Sequence, residues 1–233
     1  GVNITLEAVG EVVLKNQIRI DGDARINGKE SLTIKGFTFD FSDKSGDIIT
    51  TAKINHSNNS RYVYAHNITI KDCVFIGNSD NVVAVRAGAS GGHRNFILDG
   101  CTGTNLFSLA QLASVNGVTV KDCSVSVRAG GINLQSSTDI TITNFTVDAT
   151  GQRSYGVVAG QNTGTVNENA TLTISDSYLN AFYPIGLRGD APGTVIITNS
   201  TLVHPEGGKM IYNVANGTVN ITIDGEPYVP TED

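Results

Sequence analysis

Apolar and polar residues alternate along most of this chain in short runs that end at a recurring turn residue. The shared pattern is apolar, any, apolar, any, turn residue, small or apolar, any, apolar. Eight segments follow all or most of it: LTIKGFTF from Leu32, ITIKDCVF from Ile68, FILDGCTG from Phe96, VTVKDCSV from Val118, ITITNFTV from Ile140, LTISDSYL from Leu172, VIITNSTL from Val195 and ITIDGEPY from Ile221. Because period-two alternation is typical of β-strands, each segment predicts a strand that ends at a sharp corner.

The eight segments begin 22 to 36 residues apart, which is the spacing of coils in a solenoid. A second apolar, β-branched stretch lies between most of them, at 48–54, 81–87, 131–137, 155–161, 183–189 and 209–215. Each coil is therefore predicted to carry at least two strands, with Gly, Asn or Asp at the corners. The stretch LFSLAQLAS at 106–114 also suits a helical stripe, but only 22 residues separate the flanking segments, which favours a strand.

These patterns predict an all-β fold, a single-stranded right-handed parallel β-helix (β-solenoid) of about eight to ten coils. The right-handed winding is expected because crossover connections between parallel strands are nearly always right-handed. We expect one domain, in which residues 1–31 form an N-terminal cap or first irregular coils, 32–225 form the parallel β-helix and 226–233 form a C-terminal exit segment. A cap is expected because an open terminal coil offers unpaired backbone groups to other chains.

Coils that stack in register about 4.8 Å apart place equivalent residues in columns. The turn residues form one column, which reads Gly36, Asp72, Gly100, Asp122, Asn144, Asp176, Asn199 and Gly225. These residue types tolerate left-handed backbone or make Asx turns. The next column reads Phe37, Cys73, Cys101, Cys123, Phe145, Ser177 and Ser200 and is predicted to face inward. Stacked cysteines lie farther apart than the ~3.8 Å that a disulfide prefers between Cβ atoms, so we expect buried, reduced thiols.

The rung pattern from Leu32 to about Gly225 resembles that of the right-handed parallel β-helix proteins grouped as pectin-lyase-like. The short, polar coils also look like those of secreted bacterial surface proteins. The resemblance implies an extracellular or bacterial cell-surface location, with an export signal already removed. It implies no single activity, because this fold carries polysaccharide lyases, glycoside hydrolases, epimerases, phage tailspikes and adhesins.

Charge and composition narrow the possible partners. The formal net charge is −6 and the basic residues are scattered, so no nucleic-acid partner is predicted. No apolar run approaches the ~20 residues of a membrane span. The three cysteines and four histidines lack metal-ligand spacing, so no metal site is predicted. No cofactor is expected. The acidic residues that could bind calcium are Asp21 with Asp23, or Asp40, Asp43 and Asp47. The favoured interpretation is that they are solvated acidic residues in loops.

The candidate ligand-binding side chains lie on the second apolar stretch of each coil. They are Arg86, Gln135, Tyr155, Gln161 and Arg188. The Arg and Gln residues follow apolar alternation, so they are expected to point outward from roughly one face. Such a column could hydrogen-bond the hydroxyls and carboxylates of an acidic glycan. The alternative, favoured by the sequence alone, is that these long polar side chains only cover an exposed β face.

Three functions are compatible with the sequence. The preferred prediction is a non-catalytic extracellular β-helix module that binds glycan or serves in adhesion, with a polysaccharide or host glycan as partner. The Asn-Thr-Asp, Asp-Asp, Gly-His-Gly and Arg-Ile-Lys motifs of polygalacturonase-like hydrolases do not occur, which favours a protein that is not an enzyme without deciding the question. A polysaccharide lyase or glycoside hydrolase acting on acidic polysaccharide is the first alternative. A structural spacer of a larger surface protein is the second, and the oligomeric state is left open.

Overall fold

The computed structural model describes residues 3–20, 30–51, 53–56, 59–62, 66–88 and 93–230. All regular structure in these ranges is β-strand. The strands are β1 (Asn3–Glu7), β2 (Val13–Leu14), β3 (Ile18–Ile20), β4 (Ser31–Lys35), β5 (Thr38–Asp40), β6 (Gly46–Thr51), β7 (Lys53–His56), β8 (Asn59–Tyr62), β9 (His66–Lys71), β10 (Val74–Ile76), β11 (Val82–Ala87), β12 (His93–Asp99), β13 (Thr102–Ala113), β14 (Val115–Gln135), β15 (Thr138–Ala149), β16 (Tyr155–Ala159), β17 (Asn167–Ser175), β18 (Tyr178–Asn180), β19 (Tyr183–Gly189), β20 (Pro192–Thr198), β21 (Thr201–Val203), β22 (Ile211–Ala215), β23 (Asn220–Ile223) and β24 (Glu226–Pro227).

The strands stack as three parallel sheets, and most coils contribute to each of them. The first sheet contains β1, β4, β9, β12, β14, β15, β17, β20 and β23. The second contains β2, β5, β10, β13, β14, β15, β18 and β21. The third contains β3, β6, β11, β13, β14, β16, β19 and β22. The long strands β13, β14 and β15 turn corners and so belong to more than one sheet.

This architecture confirms the predicted fold class, an all-β parallel β-solenoid. The solenoid has about seven turns, fewer than the eight to ten coils expected. The strands β1–β3 form one end of the stack, and β23 and β24 form the other. The segment at 106–114 is a strand, as predicted, and lies mostly within β13. The right-handed winding stays a prediction.

The interior is one continuous apolar core built from in-register columns. In the first sheet, one such column reads Ile34, Ile70, Leu98, Val120, Ile142, Ile174 and Ile197, and every member is fully buried. In the second sheet, the rings of Phe39 and Phe75 stack with their centroids 5.3 Å apart. Period-two alternation thus places every second side chain inside the solenoid and leaves its neighbours for the outer faces.

The corner between the first and second sheets has the backbone geometry that the turn column predicts. All eight residues of that column have φ between 44° and 84°, in the left-handed region. Side chains at this corner also bond from coil to coil. The Nδ2 atom of Asn144 donates to Oδ1 of Asp122 at 2.7 Å, and Nδ2 of Asn199 donates to Oδ1 of Asp176 at 2.6 Å. The repeated sequence motif therefore encodes one corner, made on each coil from Gly36 to Asn199, whereas Gly225 lies in the turn that joins β23 to the antiparallel β24.

The three cysteines lie inside the solenoid on successive coils, as predicted, and all are buried and free. Their thiols approach backbone carbonyls: Sγ of Cys73 donates to the oxygen of Lys71 at 3.3 Å, and Sγ of Cys101 to that of Ile70 at 3.4 Å. They therefore behave as small core residues with a weak donor.

Burial of Cys73 is expected to make stability depend on alkaline pH. Burial raises the pKa of this thiol to about 11. The unfolded chain loses its thiol proton first, near pH 8.5, so the contribution to stability is intact below that pH and is lost as the pH rises toward 11. In urea unfolding at a series of alkaline pH values, Cys73→Ala should lose stability less steeply than the wild type. Parallel pH profiles for the two proteins would contradict this assignment.

Two antiparallel elements interrupt the parallel stack. The strands β7 and β8 form an antiparallel hairpin between β6 and β9. At the end of the solenoid, β24 turns back on β23 and places Pro227 opposite Thr222. Among the residues described, no helix is long and apolar enough to cross a membrane.

Candidate functional site

A groove of about 460 Å³ runs across the outer face of the third sheet. Three arginines line it, namely Arg128, Arg153 and Arg188, together with Gln111, Asn133 and Tyr155. None of the described residues that line the groove is acidic. We call this feature the arginine groove.

The three arginines come from successive coils. Arg128 belongs to β14 and lies where the second sheet turns into the third. Arg153 lies in the next coil, in the corner 150–154 that joins β15 to β16. The backbone N–H of Gly151 donates to the carbonyl of Arg128 at 2.9 Å, which stacks this corner directly on the preceding coil. Arg188 lies one coil further on, near the end of β19.

Two of the guanidinium groups are held by contacts within the protein. Arg128 donates from Nη2 to the carbonyl of Asp80 at 3.0 Å, and its guanidinium lies 5.3 Å from the centroid of the Phe107 ring. The guanidinium of Arg188 lies 4.9 Å from the centroid of the Tyr155 ring. Such cation–π contacts orient a planar guanidinium without removing its charge. Both groups are thus positioned in advance for a ligand.

No arginine of the groove has a carboxylate partner among the described residues. The ion pairs in those residues join Lys15 to Asp40, Lys35 to Glu7, Lys71 and Lys121 to Asp99, and Arg86 to Asp47. In a protein of net charge −6, an acid-free patch of three arginines gives the groove a positive potential that most of the surface lacks.

Two amide side chains also line the groove, those of Gln111 and Asn133. The Oδ1 atom of Asn133 is inaccessible to solvent and accepts no hydrogen bond from any described residue. The groove therefore offers cationic donors together with uncharged amides, which suits a ligand that carries both acidic and hydroxyl groups.

The sequence predicted that Arg86 points outward on this face to bind a ligand. In the structure its guanidinium is bound by other residues of the protein. Its Nε donates to Oδ1 of Asp47 at 2.7 Å, and its Nη1 donates to Oε1 of Gln111. The Asp47 carboxylate compensates the charge of Arg86. Arg86 therefore reaches the groove only through Gln111, which lines it.

The predicted single column of Arg and Gln residues is wrong in detail. Arg86 stacks between Thr50 and Gln111, whereas Gln135 stacks on Ala113 and Arg188 stacks on Val214, in a different column. The side chain of Gln135 is exposed and lies outside the groove.

Gln161 belongs to the corner after the third sheet. Its backbone N–H donates to Oδ1 of Asp190 at 2.7 Å, and its Nε2 donates to Oγ of Ser136 at 2.9 Å. These bonds hold the corner together, and Gln161 does not line the groove.

Tyr155 lies in the groove, but its ring is already engaged. The Tyr183 ring lies 5.2 Å from it, and the Tyr212 ring continues the ladder 4.5 Å beyond Tyr183. Arg188 approaches the same Tyr155 ring. Gly186 leaves room for this arrangement, because a Cβ atom there would lie 2.7 Å from the ring of Tyr155. Tyr155 thus orients Arg188 more than it offers a free face to a sugar.

The calcium candidates are only partly described. Asp21 and Asp23 lie outside the described residues. Asp40 accepts hydrogen bonds from Ser42 and pairs with Lys15, which lowers the pKa of its carboxyl. Within the described ranges, no group of three or more His, Cys, Asp or Glu side chains is arranged to hold a metal ion.

The fold and the groove define a parallel β-solenoid with a cationic groove on its third sheet. Comparisons of the chain with protein-family models, with curated proteins and with solved structures find no match. The basis for a function is therefore the chemistry of the groove itself.

Proposed function

We propose that this protein is a non-catalytic, extracellular β-helix module of the pectin-lyase-like type that binds acidic glycans on a bacterial surface. The observation that carries the proposal is the convergence of three arginines, without a carboxylate partner among the described residues, on one groove of an acidic protein. Guanidinium groups bind carboxylates and sulfates through paired, charge-assisted hydrogen bonds. An anionic ligand also relieves the repulsion among the three arginines.

The uncharged groups of the groove favour a glycan over a simple anion. Asn133 lines the groove, and an amide side chain can exchange hydrogen bonds with a sugar hydroxyl. Gln111 lies beside Asn133 with a second amide group. A uronate or sulfated sugar presents hydroxyl donors and an acidic group on one ring, which matches this combination.

The groove supports binding better than hydrolysis. Its described lining contains no carboxylate, imidazole or amine side chain. Hydrolysis of a glycosidic bond normally uses a pair of carboxylic acids on either side of the bond. The lyase alternative remains an outcome of the experiment, because elimination from a uronate releases an unsaturated product with its own ultraviolet absorbance.

Titration calorimetry with polygalacturonate, chondroitin sulfate and dextran tests the proposal. We expect the two acidic polymers to bind and the neutral dextran not to bind, with affinity that falls as salt is raised. Arg128→Ala and Arg188→Ala should each weaken binding about tenfold, or about 1.4 kcal/mol. Lys35→Ala is the matched control, since Lys35 pairs with Glu7 on the first sheet, away from the groove.

Several results would contradict the proposal. Equal affinity for dextran would remove the role of charge, and an unchanged affinity in both arginine variants would move the site elsewhere. Calcium should leave the affinity unchanged, so a calcium requirement would also count against it. Release of unsaturated uronide would make the protein a lyase, and absence of binding to any glycan would favour the spacer role.

A further inference from the structure

Arg153 has an unusual backbone for its residue type. Its φ is +56°, in the left-handed region, and every other described non-glycine residue with positive φ is Asn, Asp or Ser. Those short polar side chains tolerate this conformation, whereas a long side chain is disfavoured there. A residue of this kind persists only where the surrounding structure fixes it, and such sites are often functional.

The corner around Arg153 is fixed on both sides. A Cβ atom on Gly151 would lie 2.2 Å from the carbonyl oxygen of Arg128, so the corner begins in close contact with the preceding coil. It ends at Ser154, whose side chain is buried, donates to the carbonyl of Ala149 at 2.9 Å and accepts from the N–H of Phe182 at 3.2 Å. The N–H of Ser154 also donates to the carbonyl of Gly151 at 3.1 Å, which closes the turn.

The arginine side chain adds no described contact that offsets this strain. Arg153 is exposed and makes no hydrogen bond or ion pair with any residue that the structure describes. An asparagine or glycine would fit the same backbone with less strain. Arg153 nevertheless lines the groove together with Arg128 and Arg188.

We infer that Arg153 is a ligand-binding residue, held in a strained backbone because its guanidinium completes the arginine groove, and that the ligand is a polyanionic glycan. This inference rests on the proposed function. The three arginines come from separate coils. Contacts within the protein hold the guanidinium groups of Arg128 and Arg188, whereas Arg153 is positioned by the backbone of its own corner. A glycan with one acidic group would compensate one of them, whereas acidic groups on successive sugars compensate all three.

The substitution Arg153→Asn separates strain from binding. It keeps a residue suited to left-handed backbone and removes the charge, so we expect Tm to rise by a few degrees. Affinity for polygalacturonate should fall about tenfold, and the slope of log affinity against log salt should become shallower. A galacturonic acid monomer, with one acidic group, should bind weakly and equally to both proteins. Arg153→Lys keeps the charge and the strain, so it should retain most of the affinity without a rise in Tm.

The outcomes distinguish this inference from the proposed function. If Arg128→Ala weakens polygalacturonate binding and Arg153→Asn does not, the inference is overturned and the proposed function stands. If Arg153→Asn has the same Tm as the wild protein or a lower one, the strain is not relieved and the inference is also overturned. A wild-type protein that binds no acidic glycan overturns both.

Discussion

Replacing Phe75 with alanine is expected to lower the free energy of unfolding by about 3–5 kcal/mol, the range for deleting a fully buried aromatic ring. Phe75 is completely buried in the second sheet and stacks on Phe39 at 5.3 Å with nearly parallel rings. Loss of its ring removes apolar contacts and leaves a cavity that the rigid coils cannot close. Urea unfolding followed by circular dichroism measures this difference.

Val74→Ala provides the matched control for Phe75→Ala. Val74 is the neighbouring residue on the same strand, and its side chain points outward with 39% of its surface exposed. We expect it to cost less than about 1 kcal/mol, as surface substitutions usually do. Similar losses in the two variants would mean that the second sheet does not pack against the core as described.

Gly160→Ala is expected to destabilise the protein by roughly 2–5 kcal/mol, from left-handed strain together with overpacking. Gly160 has a φ of 92°, and a Cβ atom there would lie 2.2 Å from the carbonyl oxygen of Arg188 and 2.8 Å from the nitrogen of Ala191. Both atoms belong to the backbone, so they cannot rotate away. Thermal or urea unfolding measures the loss, and calorimetry should show weaker glycan binding because Arg188 must move.

Gly46→Ala separates the two causes. Gly46 has a similar φ of 102°, but a Cβ atom there meets nothing within 4 Å. This variant should show the effect of backbone strain alone. Its loss in free energy of unfolding should be smaller than that of Gly160→Ala by about 1–3 kcal/mol. If the two variants lose the same stability, contact between neighbouring coils at Gly160 contributes nothing.

The corner and core columns could be predicted from the sequence because a solenoid repeats its local chemistry. Asp72, Asp122 and Asn144 occupy equivalent places in near-identical motifs, so one alignment fixes their left-handed backbone and the inward direction of the next residue. The same repetition placed Cys73 and Cys101 inside the core. The third sheet was predicted as the second apolar stretch of each coil. The second sheet was not predicted as a separate sheet, because strands such as β5 and β10 have three residues each and are too short to show a period.

The site was harder to predict, because it depends on contacts between coils. Asp47 compensates Arg86 across 39 residues of sequence, and the pattern around Arg86 alone gives no sign of that partner. Arg153 was missed because it lies in a connecting loop outside every alternating segment, and nothing in the local sequence marks which corner residue has a positive φ. Asn133 could have been found, since it follows Gln111 in the outward column that contains Arg86.

In-register stacking also makes the groove adjustable in fixed steps. The outward column that contains Arg86, Gln111 and Asn133 repeats once per coil, about 4.8 Å apart. Moving a guanidinium from one of these positions to the next shifts a positive charge by one coil and leaves the core untouched. A lineage of such proteins could therefore follow changes in the spacing of acidic groups along a polymer by single surface substitutions, without insertions or a new fold.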